Sequence, residues 1–259
     1  MDNVLQMKPM VITALHFPAF RMGSKVSMAA LEDYVLNNLA VFSKGGIRAV
    51  ILQDETYTES LSRPETLTVM AAVARLAKRE YPEINFGIIM EAHDPVAAIA
   101  VAHASGASYV RIKVFVGAML KSPGIQQGCG GAAVDFRNSI GRNDIAILAD
   151  VHDRTGVPLT NVPLVQASGW ASRLGADALI LTGSNPGQSI EYIKQVRSSG
   201  IKNPLIIGGS VTTENAREFL SIADGVIVST ALMKDNVEEG DQIKWDLEKI
   251  SRFMEVVNS

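Results

Sequence analysis

Ionisable side chains stand at the ends of five short apolar runs in this 259-residue chain. The candidates for chemistry among them are His16, Asp54, Glu91, Lys113, Asp150 and, two residues further on, His152. Carboxyl and imidazole groups can transfer protons, and a lysine amine can attack a carbonyl carbon. Burying several such groups is costly unless they are paired or solvated, so their recurrence at strand ends indicates a functional site.

The candidate groups differ in the chemistry that they could perform. Asp150 and His152 are two residues apart and would point to the same face of a strand. They form a candidate general acid–base pair, with a structural role as the alternative. Lys113 is either a Schiff-base nucleophile or a charge partner of Glu91 or Asp150. Glu91 is a candidate base or cation ligand, and His16 is either catalytic or a capped histidine of the core.

No cofactor is identified from the sequence, although a divalent cation is compatible with it. Carboxylates are ligands of Mg²⁺, but no spacing here predicts a set of ligands, so no metal site is assigned. The single cysteine, Cys129, excludes an internal disulfide framework and a multi-cysteine metal site. We interpret Cys129 as incidental. The G-x-G-x-x-G pattern of dinucleotide binding does not follow the first predicted strand.

Glycines and hydroxyl side chains end the three later apolar runs. The candidate phosphate-binding residues are Gly183, Ser184, Gly208, Gly209, Ser210, Ser229 and Thr230. A phosphate needs backbone N–H donors, small residues that permit close approach, and a helix N-terminus directed at it. In barrels it commonly binds after strands seven and eight, where "GGSVTTEN" and "VSTALMKD" lie. A glycine pair that only turns the chain is the alternative.

Eight apolar runs rich in valine and isoleucine predict strands buried on both faces, as in a parallel sheet. They lie near residues 11–15, 48–52, 86–90, 108–114, 145–151, 177–181, 204–207 and 224–228. Helical patterns stand between most of them, and one opens with Asp94 as N-cap and Pro95 as first helical residue. Eight such units without a linker predict an α/β fold, a single (β/α)8 TIM barrel over residues 1–259. Barrel active sites lie at the C-terminal strand ends, which brings both groups of candidates to one mouth.

The connection over residues 115–144 is unusually long. Only "AAVDFRNSI" within it has a helical pattern, and we expect its front half to be a glycine-rich loop. Long loops of this kind are often lids over a site, or else mobile segments.

Composition and charge restrict the partners of the chain. The net charge of −3 offers no basic field for nucleic acid or for an anionic membrane surface. No apolar run approaches the roughly 18 residues of a membrane span, and the N-terminus lacks a signal-peptide pattern. We therefore expect a cytoplasmic protein whose partner is a phosphorylated small molecule. A homo-oligomer is compatible with the sequence, but no residue pattern specifies one.

Four stretches of the chain form a recognisable set: "SGASYVRIKVFVGAM", "AILADVHDRTGVPL", "GADALILTGSNPG" and "GGSVTTENAREFLSIADGVIVSTALMKD". Together they resemble the BtpA/SgcQ family of (β/α)8 barrels, and the resemblance extends over nearly the whole chain. The sequence departs from the family at Lys113, where members have an asparagine motif, and at Arg154 and Thr155, where they have lysine and histidine. The resemblance implies a barrel; one branch of the family is linked to photosystem I biogenesis and another to sugar-uptake operons.

The residues support two hypotheses of function. In the first, an enzyme acts on a phosphorylated, sugar-phosphate-like molecule by acid–base isomerase, lyase or aldolase chemistry. In the second, the protein is a non-enzymatic assembly or stability factor of the BtpA type. The ionisable groups at the predicted mouth favour the enzyme.

Overall fold

Eleven strands appear in the computed structural model, which describes residues 4–18, 26–55, 61–238 and 240–259. They are β1 (Met10–His16), β2 (Ala49–Gln53), β3 (Asn85–Ile89), β4 (Tyr109–Ile112), β5 (Ala118–Lys121), β6 (Gly124–Gln127), β7 (Ala146–Asp150), β8 (Val157–Pro158), β9 (Ala178–Leu181), β10 (Leu205–Gly208) and β11 (Gly225–Val228). Eight of them pair in parallel and close into a barrel in the order β1-β11-β10-β9-β7-β4-β3-β2. The predicted barrel is thereby confirmed.

Eight α-helices follow the barrel strands along the described chain. They are α1 (Met28–Lys44), α2 (Pro64–Glu80), α3 (Pro95–Ser105), α4 (Gly130–Ser139), α5 (Leu164–Leu174), α6 (Pro186–Ser198), α7 (Ala216–Ile222) and α8 (Leu247–Asn258). The Asp94 carboxylate accepts a hydrogen bond from the Ala97 N–H, which confirms the predicted cap of α3. None of the helices in these described ranges combines the length and the apolar character needed to cross a bilayer.

Alternate residues of the barrel strands face two different cores. Side chains such as Ile12, Ile51 and Leu148 fill the inside of the barrel, while their neighbours in sequence pack between the strands and the helices. Because successive side chains of a strand point to opposite faces, this alternation continues to the strand ends. It decides which end residues reach the inside of the mouth.

The front half of the 115–144 connection is a small antiparallel sheet, so the prediction of a glycine-rich loop was wrong. Strands β5 and β6 form a hairpin around Ser122 and Pro123, and β8 joins as a third strand in the order β6-β5-β8. The strand sequences AMLK and GIQQ are not runs of valine and isoleucine, so they lack the apolar signal by which the barrel strands were predicted. The helical prediction later in the connection is confirmed by α4.

One side of this small sheet is apolar and exposed. Leu120 pairs with Ile125 on one neighbouring strand and with Val157 on the other. Their exposed fractions are 49%, 64% and 65%, and we refer to these three residues as the apolar face. Directly paired side chains lie on the same side of a sheet, so the three form a contiguous patch.

Candidate functional site

A cavity of about 510 Å³ opens at the C-terminal ends of the barrel strands. Seven barrel strands or the loops after them contribute to its wall, and the side chains at its centre include His16, Gln53, Arg111, Lys113, Asp150 and Thr182. A cavity of this size, with polar groups converging on it, suits a small-molecule ligand. The mouth therefore gathers ionisable candidates from β1, β4 and β7.

Arg111 and Asp150 form a two-pronged ion pair at the bottom of the cavity. Arg111 Nε donates to one carboxylate oxygen at 2.8 Å, and Nη2 donates to the other at 2.9 Å. The Asp150 side chain is almost fully buried. Burial raises the pKa of Asp150 above its ordinary value, although Arg111 acts against this shift. A buried carboxylate with a raised pKa, held in one orientation, is suited to accept a proton.

Sequence reasoning missed Arg111, although a signal for it was present. Arg111 lies two residues before Lys113 on β4, inside the otherwise apolar "YVRIKV". Residues two apart in a strand share a face, so placing Lys113 in the mouth also places Arg111 there. A charged side chain within a buried strand calls for a buried partner, and Asp150 provides it.

Lys113 is a charge partner of Glu91. Its Nζ lies 2.7 Å and 2.6 Å from the two Glu91 carboxylate oxygens, and the Glu91 side chain is almost fully buried. Of the alternatives for Lys113, the structure therefore contains the ion pair with Glu91 and none with Asp150. Glu91 itself is not part of the cavity wall: it lines a small neighbouring pocket, and its contact with the cavity is through Lys113.

A third ion pair connects the small sheet to the mouth. Lys121 Nζ of β5 lies 2.5 Å from Asp153, which lines the cavity. Burial alone would raise the pKa of Asp153, but hydrogen bonds from Lys121 and from the Thr155 N–H lower it below its ordinary value. Because Lys121 and Asp153 are both buried, the β5–β6 hairpin is held to the barrel by a charge-assisted contact.

His16 stands at the other side of the mouth, at the end of β1. Its Nδ1 lies 3.3 Å from Glu55, and its Nε2 lies 3.4 Å from the Ser229 hydroxyl. The Tyr34 hydroxyl donates to the backbone carbonyl of His16 and holds the strand end. The imidazole thus lies between the ionisable groups and the hydroxyl groups of the mouth.

The loops after β10 and β11 provide backbone donors at the cavity. Gly209 and Ser210 both have positive φ angles, 95° and 57°, and line the cavity together with Gly208, Ser229 and Thr230. Successive N–H groups in such turns form concave anion-binding surfaces. Within the described ranges, no hydrogen-bond acceptor occupies the N–H groups of Ser210, Val211, Ser229, Thr230 and Ala231.

Arg154 lies against the Gly209 turn. A methyl group added at Gly209 would be 3.0 Å from Arg154 Cζ, so the guanidinium covers this glycine directly. Arg154 has no ion-pair or hydrogen-bond partner among the residues that the structure describes. An unpaired arginine beside free backbone donors favours the binding of an anion.

Gly183 and Ser184 lie outside this group of free donors. The Gly183 N–H donates to Ser189 Oγ at 3.0 Å, and the Ser184 N–H donates to Gln188 Oε1 at 2.6 Å. Both acceptors belong to α6, so these amides hold the start of that helix. The structure brings Thr182, one residue earlier, into the cavity instead.

Asp54 and His152 also lie away from the cavity wall. Asp54 is fully buried and accepts a hydrogen bond from the Glu91 N–H at 2.6 Å, so it fixes the loop after β3. His152 lines a small separate cavity beside Trp170, and burial lowers its pKa. The chain bends directly after Asp150, where β7 ends, so the alternation that would have aligned His152 with Asp150 stops there.

Cys129 and the carboxylates show no arrangement specific for metal binding. Burial raises the pKa of Cys129 to about 12, and its Sγ donates to the Val114 carbonyl. No cluster of three or more His, Cys, Asp or Glu side chains with the geometry of a metal site occurs in the described part of the chain.

The comparison with protein families gives a match over almost the whole chain. The BtpA family model matches residues 7–259. A protein of Pyrococcus abyssi is 30% identical over 92% of this chain and 90% of its own length. The sgc region protein SgcQ of Escherichia coli is 28% identical over 93% and 89%. The photosystem I biogenesis protein BtpA of Synechocystis is 24% identical over 89% and 81%.

Solved structures that share this fold include TIM-barrel enzymes. The tryptophan synthase alpha chain of Legionella pneumophila superposes with a TM-score of 0.65 at 13% identity, covering 100% of this chain and 98% of its own. Phosphoribosyl anthranilate isomerase of Thermococcus kodakaraensis superposes with a TM-score of 0.56 at 16% identity, covering 96% and 98%. At sequence identities this low, the similarity shows a shared fold only.

Proposed function

The chain belongs to the BtpA family, and from this premise we propose that it is an enzyme acting on a phosphorylated small molecule of the sugar-phosphate type. The ligand would bind in the cavity at the C-terminal mouth of the barrel. The observation that carries this proposal is the division of the mouth into two halves. One half has free backbone donors and an unpaired arginine, and the other has carboxylates held by cations.

The donor half suits a phosphate group. Phosphate oxygens would accept hydrogen bonds from the N–H groups of Ser210 and Thr230, with Arg154 as the counter-charge. This is the region in which barrels commonly hold phosphate. Binding energy from a non-reacting phosphate can be used to orient the rest of the substrate at the reacting groups.

The ionised half suits proton transfer. Asp150 would act as the general base, because burial raises its pKa and Arg111 fixes its orientation. Lys113 would stabilise negative charge that develops on a substrate oxygen. These roles fit an isomerase, a lyase or an aldolase that removes a proton next to a carbonyl group.

The Lys113–Glu91 contact favours this acid–base chemistry over an imine mechanism. A lysine nucleophile needs a free Nζ, whereas both carboxylate oxygens of Glu91 lie within hydrogen-bond distance of Lys113 Nζ. Borohydride reduction in the presence of substrate distinguishes the two mechanisms. We expect no covalent adduct on Lys113; a trapped adduct would establish the imine mechanism instead.

The proposal is tested by proton exchange in deuterated water. A panel of sugar phosphates is incubated with the protein, and NMR follows the replacement of carbon-bound hydrogen by deuterium. We expect exchange with one or more phosphorylated sugars, none with the unphosphorylated sugars, and at least a 100-fold slower rate for Asp150→Asn. Circular dichroism confirms that the variant is folded. An Asp150→Asn rate equal to that of the wild type, or no exchange with any phosphorylated sugar, would contradict the proposal.

A second candidate is an assembly or stability factor, favoured by the relative named photosystem I biogenesis protein BtpA. The apolar face of the small sheet would then contact the partner protein. In cells without their own copy of the gene, a chain with Leu120→Lys and Ile125→Lys would fail while Asp150→Asn would function. The enzyme proposal requires the opposite result.

The proposal also covers where the protein is located and whether it forms a homo-oligomer. We propose a cytoplasmic protein, in accordance with its single cysteine. A homo-oligomer is favoured by the same apolar face, because contiguous exposed apolar patches commonly mark protein contacts. Light scattering on a size-exclusion column measures the mass directly, and a monomer at all concentrations would exclude the homo-oligomer.

A further inference from the structure

The charges around the mouth are almost completely paired within the described chain. Arg111 is paired with Asp150, Lys113 with Glu91, and Lys121 with Asp153. All six side chains are largely buried. The remaining cation at the cavity wall is Arg154, which has no acidic partner among the described residues. The described wall therefore offers one uncompensated positive charge, and it lies at the Gly209 turn.

A second anionic group on the ligand would have an unfavourable position. At the reacting half it would face the carboxylates of Asp150 and Asp153, which are already paired with Arg111 and Lys121. To gain a cation it would have to displace a buried carboxylate from its partner, which leaves that carboxylate buried and unpaired. Repulsion between like charges in such a site lowers the affinity of a ligand more than the loss of one favourable contact does.

The uncharged polar side chains that line the cavity could form hydrogen bonds with hydroxyl groups of a ligand. Thr182 Oγ1 is buried, with the residue only 7% exposed, and it has no hydrogen-bond partner among the residues that the structure describes. The Gln53 side chain also lines the cavity, and no described residue hydrogen-bonds its amide. A buried hydroxyl without a hydrogen-bond partner destabilises the protein, so a ligand that supplies this hydrogen bond binds more tightly. No Phe, Tyr or Trp side chain lies in the described wall, so an aromatic ring would have no stacking partner there.

We infer that the ligand is the monophosphate of an otherwise uncharged polyhydroxy compound, and that Arg154 is the side chain that binds its phosphate. Bisphosphates, phosphorylated sugar acids and nucleotides are disfavoured. This inference rests on the proposed function, which itself requires only a phosphorylated ligand. The inference specifies in addition that the rest of the ligand is uncharged. It also names Arg154 as a residue whose substitution tests phosphate binding separately from the reaction.

Calorimetry with matched ligand pairs tests the inference. Inorganic phosphate, glucose 6-phosphate with 6-phosphogluconate, and fructose 6-phosphate with fructose 1,6-bisphosphate are titrated into the intact protein. We expect phosphate to bind and the neutral-sugar monophosphate to bind about tenfold tighter than its charged counterpart. Arg154→Ala should weaken phosphate and monophosphate binding about tenfold, and Arg154→Lys should weaken it less. The control is Arg173→Ala, an exposed arginine of α5 away from the cavity, which should leave binding unchanged.

The outcomes separate the inference from the function on which it rests. Tighter binding of the acid or the bisphosphate, with inorganic phosphate still competing, would overturn the substrate class and leave a phosphorylated ligand in place. Unchanged binding by Arg154→Ala would overturn the role of Arg154. Absence of binding by inorganic phosphate and by every phosphorylated sugar would overturn both the inference and the proposed function.

Discussion

At the scale of single residues, the mouth is defined by pairs of opposite charge. A carboxylate at a strand end is held in one orientation by a cation on another strand, as Asp150 is by Arg111. Chain position predicted that Asp150 and Lys113 would come to the same mouth, and both line one cavity. It did not predict which cation would meet which carboxylate, because that depends on distances of a few ångströms across the barrel.

The Arg111–Asp150 pair should show strong coupling in a double-mutant cycle. Arg111→Met or Asp150→Leu alone leaves a buried charge unpaired, and we expect each to lower the free energy of unfolding by about 3–5 kcal/mol. The double variant should recover a large part of this loss, because no charge remains buried. Urea denaturation measures all four proteins. The exposed Arg79–Glu80 pair is the control and should couple by less than about 1 kcal/mol; additive losses at Arg111 and Asp150 would exclude the coupling.

Asp153 should make the stability depend on pH. Because its pKa is lower in the folded chain than its ordinary value of 3.8, its contribution is complete above that value. It is lost as the pH falls through the folded-state pKa. Asp153→Asn should therefore cost about 3 kcal/mol near pH 7, and the difference from the wild type should shrink on acidification below about pH 4.

Denaturation midpoints measured from neutral to acidic pH test this dependence. Asp144 is the matched control, since its pKa is also lowered, by hydrogen bonds from Arg142, but it is exposed. Asp144→Asn should cost less than about 1 kcal/mol throughout. A constant difference between Asp153→Asn and the wild type at all pH values would show that Asp153 acts through packing and not through its charge.

At the scale of elements, the strands could be predicted and the small sheet could not. The eight barrel strands are valine- and isoleucine-rich and end near the predicted positions, because strands buried on both faces leave a clear apolar signal. Strands β5 (AMLK), β6 (GIQQ) and β8 (VP) are not apolar runs, and their pairing depends on a hairpin and on Val157 from a later segment. That pairing, like the contact of Lys121 with Asp153, is visible only in three dimensions.

Gly87 of β3 should be irreplaceable because of Tyr109 on the neighbouring strand. A methyl group at Gly87 would lie 2.1 Å from the Tyr109 ring, which fills the barrel core at this level. Gly87→Ala should lower the free energy of unfolding by about 1–3 kcal/mol or prevent folding. Chemical denaturation measures the loss, and in a Tyr109→Ala background the added methyl should cost much less.

Gly131 of α4 is the control for this prediction. No atom lies within 4 Å of a methyl group added there, and its φ angle is ordinary. Gly131→Ala should be neutral or stabilise the protein by up to about 1 kcal/mol, because alanine restricts the unfolded chain. An equal loss for both variants would show that the Tyr109 contact does not limit position 87.

At the scale of the whole molecule, the ring of helices closes where α8 meets α1. The Phe42 and Trp245 rings meet edge to face at 5.3 Å, and both are buried. Ile250 of α8 lies so close to Gly45, at the end of α1, that a methyl group added at Gly45 would be 2.3 Å from it. A single domain over residues 1–259 is our interpretation of this closure.

Trp245→Ala should test how much this closure contributes. We expect a loss of about 3–5 kcal/mol in the free energy of unfolding, because the buried indole, just before α8, packs against Phe42 of α1. Trp245→Phe should cost less, since it retains a ring and removes a buried indole N–H that has no hydrogen-bond partner in the described part of the chain. Leu247→Ala, at an exposed position of α8, should change stability by less than about 0.5 kcal/mol. Thermal and urea denaturation measure all three.

The sequence by itself determined the barrel, its eight strands, and the division of strand ends into ionisable and glycine-rich groups. These features depend on local composition and on the order of elements along the chain, which a sequence contains directly. The tertiary structure alone decided that Lys113 meets Glu91 and that Asp150 meets Arg111. It also left five predicted site residues outside the cavity wall: Asp54, Glu91, His152, Gly183 and Ser184. It also placed Arg154 over Gly209. The physical reason is that charge pairing and hydrogen bonding act over about 3 Å, a distance set by strand tilt, bends at strand ends and loop packing.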